Sequence, residues 1–246
     1  MRYAILSDIH ANVEALHAAL EAVESMGVDA ILSLGDLVGY NADPNECVRL
    51  VREREIPTLM GNHDAVACDL SDAVDFNPIA RAAAIWTRDA LTPDHRDYLL
   101  AQPEQRSLDG GIRLVHGSLL HRDHYLLSKY DILENVRRMR AEKSGIRVLL
   151  FGHTHHQVAF SCEGEGNISQ VSSPRFTLRD DRVYLINPGS VGQPRDQDPR
   201  SAFLLLDPEE RSVEFVRIPY DIRACAKKIL AQGLPRELAD RLSHGW

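Results

Sequence analysis

Short apolar runs and helically spaced apolar positions alternate along the first half of the chain. Residues 3–7, 30–34 and 58–60 are brief, largely apolar stretches, the pattern of strands covered on both faces. Val13, Leu16, Leu20 and Val23 recur at helical spacing, and Gly27 is placed to stop that helix. Asp43-Pro44-Asn45-Glu46 supplies an N-cap, a first-turn proline and a capping-box acid, which predicts a helix to about Arg54. Residues 79–101 read as two helices, the second opened by Thr92-Pro93; 112–115 returns to strand and 131–143 to helix.

The second half is strand-rich, at 147–151, 157–161, 182–186, 202–206 and 212–218, with a weaker helical tail from Ile222. Alternating β and α first, then mostly β, predicts an α/β fold: a four-layer α-β-β-α sandwich of two mixed sheets with helices outside. No repeat, low-complexity tract or linker divides the chain, so residues 1–246 are expected to form a single domain. The stretches 64–78 and 117–130 carry little periodic signal and are expected as loops near a site.

Composition narrows the class. A chain of 246 residues with 44% apolar and 26% charged residues can bury a core without staples. Cys47, Cys68, Cys162 and Cys225 are scattered and form no CxxC pair, so a reduced, intracellular protein is expected rather than a disulfide framework. No apolar run approaches the length of a signal-peptide core or a spanning helix, so a cytoplasmic chain without membrane association is expected. The formal charge of −8 argues against a protein that coats a nucleic-acid polymer. It leaves open a small phosphorylated substrate, because bound metals supply positive charge locally.

Polar groups recur at one kind of place, directly after a short apolar run. They are Ser7-Asp8-Ile9-His10, Gly35-Asp36, Gly61-Asn62-His63-Asp64, Val115-His116-Gly117 and Gly152-His153-Thr154-His155. In α/β folds ligands bind beyond the carboxyl ends of the strands, so these residues are expected to converge on one metal site there. In this order the motifs resemble the calcineurin-like metallophosphoesterases, and the match continues through Asn187-Pro188-Gly189-Ser190 to about Arg200. His10-Ala11-Asn12, Gly35-Asp36-Leu37-Val38-Gly39-Tyr40 and Asn187-Pro188-Gly189-Ser190-Val191-Gly192 resemble the small bacterial and archaeal branch that includes diadenosine-tetraphosphatase-like phosphohydrolases.

The resemblance implies two divalent metal ions. One would be held by Asp8, His10, Asp36 and His155, the other by Asp36, Asn62, His116 and His153. Imidazole with carboxylate suits Mn, Fe, Zn or Co better than Mg or Ca. Two such ions bring roughly +4, the two aspartates return about −2, and the excess of about +2 favours phosphate. The implied reaction is hydrolysis of a phosphodiester, a phosphomonoester or a dinucleoside polyphosphate by a metal-bridging hydroxide. His63 is expected as general acid with Asp64 as its orienter, the alternative being a plain hydrogen-bonding role. Three further residues are candidate substrate contacts, each with a structural alternative. Asn12 contacts phosphate or caps the helix from Val13; Arg195 grips a distal phosphate or forms a surface salt bridge; Tyr40 stacks on a base or packs as an ordinary aromatic. His121, His124 and Tyr125 are candidates for the mouth of the site. A phosphoprotein phosphatase and a non-enzymatic scaffold of the same fold are the competing readings, the latter weakened by the intact ligand set.

Overall fold

In the computed structural model residues 1–74, 76–142, 145–164 and 166–246 are described. The first half runs β1 (Tyr3–Leu6), α1 (Val13–Ser25), β2 (Ala30–Ser33), α2 (Pro44–Glu53), α3 (Asn62–Ala67), α4 (Pro78–Ala90) and α5 (Pro93–Leu100). Next come β3 (Gln105–Leu108), β4 (Ile112–Val115), α6 (Lys129–Ala141), β5 (Val148–Leu150), β6 (Gln157–Glu163) and β7 (Asn167–Gln170). The chain closes with β8 (Arg175–Thr177), β9 (Arg182–Pro188), β10 (Ser201–Asp207), β11 (Ser212–Ile218), α7 (Ile222–Ala231) and α8 (Arg236–Leu242).

The strands form two mixed sheets, ordered β2-β1-β10-β11-β8 and β3-β4-β5-β9-β6-β7. In the first, β1 runs parallel to β2 and antiparallel to β10, with Ile5 opposite Leu204. In the second, β4, β5 and β9 are parallel neighbours. Successive side chains point to opposite faces of a strand, and here both faces are covered. Ile5, Leu204 and Leu206 meet Leu114, Leu150 and Ile186 between the sheets. The alternate residues Leu6, Phe203 and Leu205 pack outward on Leu16, Leu20 and Val48 of α1 and α2. On the other side Leu149, Phe151 and Leu185 pack on Ile132, Val136 and Met139 of α6. The result is the four-layer sandwich, and it explains why the central strands read as unbroken apolar runs.

Several elements differ from the sequence reading. The run at 58–60 is not a sheet strand: it makes a single bridge, Ser33 to Thr58, and then turns into α3. Residues 64–67, expected as loop, complete α3, whose start is fixed by the Asp64 carboxylate accepting the Gly61 N–H at 3.0 Å; Asp75 in the same stretch lies outside the described residues. The helix expected over 131–143 starts earlier, at Lys129, because Ser128 Oγ accepts the Asp131 N–H at 3.2 Å; its expected end, Lys143, lies outside the described residues. Strands β3, β7 and β8 sit at sheet edges, largely exposed, and carry little apolar signal. Among the described residues no helix is long and apolar enough to cross a membrane.

Leu204 is fully buried at the meeting of the two sheets. Leu204→Ala is expected to lower stability by about 2–5 kcal/mol, read as a drop in the urea midpoint with an unchanged slope. A midpoint within error of the original chain would show that the inter-sheet core is not where stability resides.

Candidate metal centre

Asp8 and His10 stand in the turn after β1, Asp36 in the turn after β2, His116 directly after β4, and His153 and His155 in the turn after β5. Asn62 and His63 instead open α3. The turns after β1 and β2 are zipped together: the N–H groups of Asp8, His10 and Ala11 donate to the carbonyls of Gly35, Asp36 and Leu37 at 3.0, 2.9 and 2.9 Å. From the far side, Val191 and Gly192 donate to the carbonyls of Ser7 and Asp8 at 2.9 and 3.0 Å. This bracing holds backbone that would not otherwise persist. Asp8, His10, Asp36, His153 and His155 all have left-handed φ, between 50° and 65°, at about 1–2 kcal/mol each for a residue with a Cβ. Gly61 is needed for a different reason: a Cβ there would lie 2.0 Å from Asp36 Oδ1.

Three groups of ligand atoms each fit within 4.8 Å: Asp8, His10 and His155; Asp36, His116 and His153; and His10, Asp36 and His63. Backbone carbonyls fix the imidazoles. His10 Nδ1 lies 3.0 Å from Val38 O, His116 Nδ1 3.0 Å from Leu34 O and His155 Nδ1 2.6 Å from Gln193 O. A carbonyl only accepts, so each Nδ1 carries a proton and Nε2 faces the centre. His10 Nε2 and His155 Nε2 then stand 3.0 Å apart, two lone pairs that a cation satisfies and a hydrogen bond between them does not. His153 is turned the other way, with Nε2 3.2 Å from the Asp123 carbonyl, which leaves Nδ1 as its ligand atom.

The carboxylates complete the pattern. Asp8 Oδ2 accepts from Ser7 Oγ at 2.6 Å and His153 N–H at 3.1 Å, and Asp36 Oδ1 accepts the His63 N–H at 2.8 Å. Their other oxygens, Asp8 Oδ1 and Asp36 Oδ2, are buried without a hydrogen-bond partner. Asp8 Oδ1 lies 3.2 Å from His155 Nε2. Asp36 Oδ2 lies 3.5 Å from His10 Nε2 and 3.3 Å from His116 Nε2, and so touches both halves of the cluster. Asn62 Oδ1 stands 3.0 Å from His116 Nε2. Orphaned oxygens beside imidazole lone pairs are a donor set that fits divalent cations.

The electrostatics agree. Burial opposes ionisation of both carboxylates, yet the surrounding histidines, His155 beside Asp8 and His116 beside Asp36, hold them below the usual range. Burial likewise pushes His10, His153 and His155 down, His153 to about 3, so these imidazoles are neutral, the form that ligates metal. His116 goes the other way: against burial, the Asp36 carboxylate raises it to about 9. The centre favours positive charge.

Around this centre the remaining candidates are placed as follows. The His63 ring packs among Tyr40, Phe76 and His10 at centroid distances of 4.3, 4.6 and 4.9 Å. It also lies flat against Gly39, where a Cβ would come within 2.5 Å of Nδ1. Burial first, and then the Arg195 charge, lower its imidazole to about 4 against the pull of Asp36. Asp64 does not orient it: both Asp64 oxygens accept backbone N–H groups, from Val38 and Gly61, while His63 Nδ1 has no partner. Asn12 accepts the Ala15 N–H at 3.1 Å and donates to Gly192 O at 2.8 Å, so it caps α1. Tyr40 is 5% exposed and packs edge-on to His10, with the Arg195 guanidinium 5.2 Å from its ring centre. Arg195 forms no salt bridge among the described residues; it donates to Gln193 Oε1 at 2.9 Å.

A cleft of about 130 Å³ opens over Asn62, His63 and His153, walled by Tyr40, Phe76 and Tyr125. Tyr125 stacks on His153 at 3.8 Å. His121 and His124 do not line it; His124 Nδ1 contacts Ser118 Oγ at 3.0 Å within their own loop. Phe76 and Asp123 were not expected from sequence and carried no signal there; Ser7, expected within the Ser7–His10 motif, donates to Asp8 Oδ2.

Comparison with known proteins places these motifs in context. A sequence profile of the calcineurin-like phosphoesterase superfamily domain matches residues 1–211. An uncharacterized protein of Methanocaldococcus jannaschii is 33% identical over 245 residues, 98% of this chain and 97% of that protein. The crystal structure of a metallophosphoesterase from Sphaerobacter thermophilus superposes with a TM-score of 0.84 at 34% identity, covering 100% of this chain and 99% of its own. A hypothetical protein of Pyrococcus horikoshii gives a TM-score of 0.81 at 21% identity, covering 100% and 98%.

The contact between Gly61 and Asp36 gives a test that needs no substrate. Gly61→Ala displaces the Asp36 carboxylate and is expected to weaken Mn²⁺ binding by about 10–100-fold, the usual effect of disturbing a ligand's support. The rise in Tm on adding MnCl₂ should shrink accordingly. An equal Mn²⁺ response in the two proteins would show that Asp36 is not a ligand.

Proposed function

The chain belongs to the calcineurin-like phosphoesterase superfamily, and we propose that it is a dinuclear-metal phosphohydrolase acting on small phosphorylated or nucleotide substrates. One observation carries the dinuclear reading: Asp36 Oδ2, buried and unpartnered, lies between His10 Nε2 and His116 Nε2. Asp8, His10, Asp36 and His155 would hold one ion, and Asp36, Asn62, His116 and His153 the other. When bound, such ions lower the pKa of a water and neutralise phosphoryl oxygens. Mn, Fe, Zn and Co suit this mixture of imidazole and carboxylate.

The protein's own groups do the rest. In hydrolysis the water oxygen bonds to phosphorus, the bond to the leaving oxygen breaks, and that oxygen takes up a proton. His63 borders the cleft and is the residue placed to meet it. At rest burial and Arg195 keep the ring neutral; a phosphate anion in the cleft opposes both and raises its proton affinity. Phe76 and Tyr125 wall a cleft of only about 130 Å³, a size that favours a small ester or anhydride over a phosphorylated protein surface. Four buried free cysteines support a reducing, cytoplasmic setting.

His63 also brings a ring nitrogen near His10 and Asp36, so chemistry and ligation must be separated by experiment. His63→Ala is expected to keep its metal content while turnover falls by about 10²–10⁴-fold. The loss should be smaller for nitrophenolate leaving groups than for alkoxides, which need the proton. Loss of metal with unchanged activity per metal would make His63 a ligand; equal losses for good and poor leaving groups would remove it as general acid.

A further inference from the structure

The four imidazoles of the metal centre are not held alike. His10, His116 and His155 each give Nδ1 to a carbonyl of the turns after β2 and β9, those of Val38, Leu34 and Gln193. His153 reaches outward instead, and its Nε2 meets the Asp123 carbonyl at 3.2 Å. Asp123 belongs to the loop between β4 and α6. Two residues further along that loop, the Tyr125 ring stacks on the His153 imidazole, with centroids 3.8 Å apart and planes 29° from parallel. One imidazole thus receives its edge contact and its face contact from the same short stretch of loop.

That stretch is built to keep its place. Gly117 lets the chain fold back on itself, since a Cβ there would lie 2.2 Å from Arg122 O. The N–H groups of Ser118 and His124 donate to the His121 carbonyl at 3.1 and 3.2 Å, and Leu119 N–H donates to Oδ1 of buried Asn135 at 2.9 Å. Beyond Tyr125, Leu126 is buried in the layer that holds Val136 and Met139 of α6. Tyr125 itself is 42% exposed, so the inter-sheet core does not depend on it. The imidazole needs both contacts. A carbonyl only accepts, so Asp123 O keeps the proton on Nε2 and leaves Nδ1 bare for a cation. A half-turn about χ2, a torsion with roughly two-fold freedom in histidine, would put carbon where Nδ1 stands. The stacked ring opposes that turn by fixing the imidazole plane. Tyr125 also walls the cleft, so a molecule entering there touches the ring that aligns a metal ligand.

We propose that Tyr125 is a positioning residue which, with the Asp123 carbonyl, clamps His153, so that the site of Asp36, Asn62, His116 and His153 depends on this loop while the site of Asp8, His10, Asp36 and His155 does not. The assignment rests on the dinuclear reading above. Calorimetric titration of metal-free protein with MnCl₂ should show two binding steps. Tyr125→Ala should leave one step unchanged and weaken the other by about 10–100-fold, the usual loss when a ligand's support is removed. Tyr125→Phe, which keeps the stacking ring, should restore most of it. A second readout needs no metal. Proton–nitrogen correlation spectra of the histidine rings should place the His153 proton on Nε2, and those of His10 and His155 on Nδ1. Tyr125→Ala should mix the two forms of His153 and leave His10 and His155 as they were. Two steps of unchanged affinity in Tyr125→Ala, or equal losses in both, overturn the proposal while the dinuclear reading stands. Fewer than two steps in the original chain overturn that reading instead, and the metal-free spectra then decide the clamp: an unmixed His153 in Tyr125→Ala overturns it, a mixed one upholds it.

Discussion

Asp8 and Asp36 are buried to 0% and 1% exposure, and each keeps one oxygen without a hydrogen-bond partner. Leaving an ionised group so costs several kcal/mol even after the protein relaxes. Replacing the carboxylates by apolar residues would remove the cost, but the chain instead surrounds them with four imidazoles, His10, His116, His153 and His155. All four have one nitrogen at a backbone carbonyl and the other turned inward. The surrounding architecture makes sense as the means of holding this costly arrangement together for a pair of cations.

The sheets supply rigidity and the turns supply aim. Strands β1, β2, β4 and β5 end at the same edge of the sandwich, where their last residues can no longer be strand. Backbone there adopts left-handed conformations at five cluster residues, strain that isolated turns would relax. Hydrogen bonds between the turns after β1 and β2, and from Val191 and Gly192 beyond, prevent that relaxation. Gly61 and Gly39 then let Asp36 and His63 approach where a methyl group would collide. Stability built in the three apolar layers is spent locally at the centre.

The layered fold and the cluster were legible for one reason. Strands covered on both faces leave unbroken apolar runs, and the first polar residues after each run mark the sheet edge. Asp8, Asp36, His116, His153 and His155 are all of that kind, and the resemblance supplied their pairing. What escaped has physical causes too. Edge strands such as Gln105–Leu108 bury little and carry little pattern. The run at 58–60 has strand composition but no partner beyond one bridge. Asp64 beside His63 suggested an orienting pair, yet at a helix start neighbouring side chains diverge, and the carboxylate serves the backbone. Phe76 and Asp123 reach the cleft from loops without periodicity.

The account turns on Asp36 linking two cations, and anomalous diffraction from crystals grown with Mn²⁺ tests it most directly. It predicts two anomalous peaks roughly 3.5–4 Å apart, as in two-metal sites generally, one flanked by Asp8, His10 and His155, the other by Asn62, His116 and His153, with Asp36 between. A single peak, or peaks that leave Asp36 without a metal contact, would contradict it.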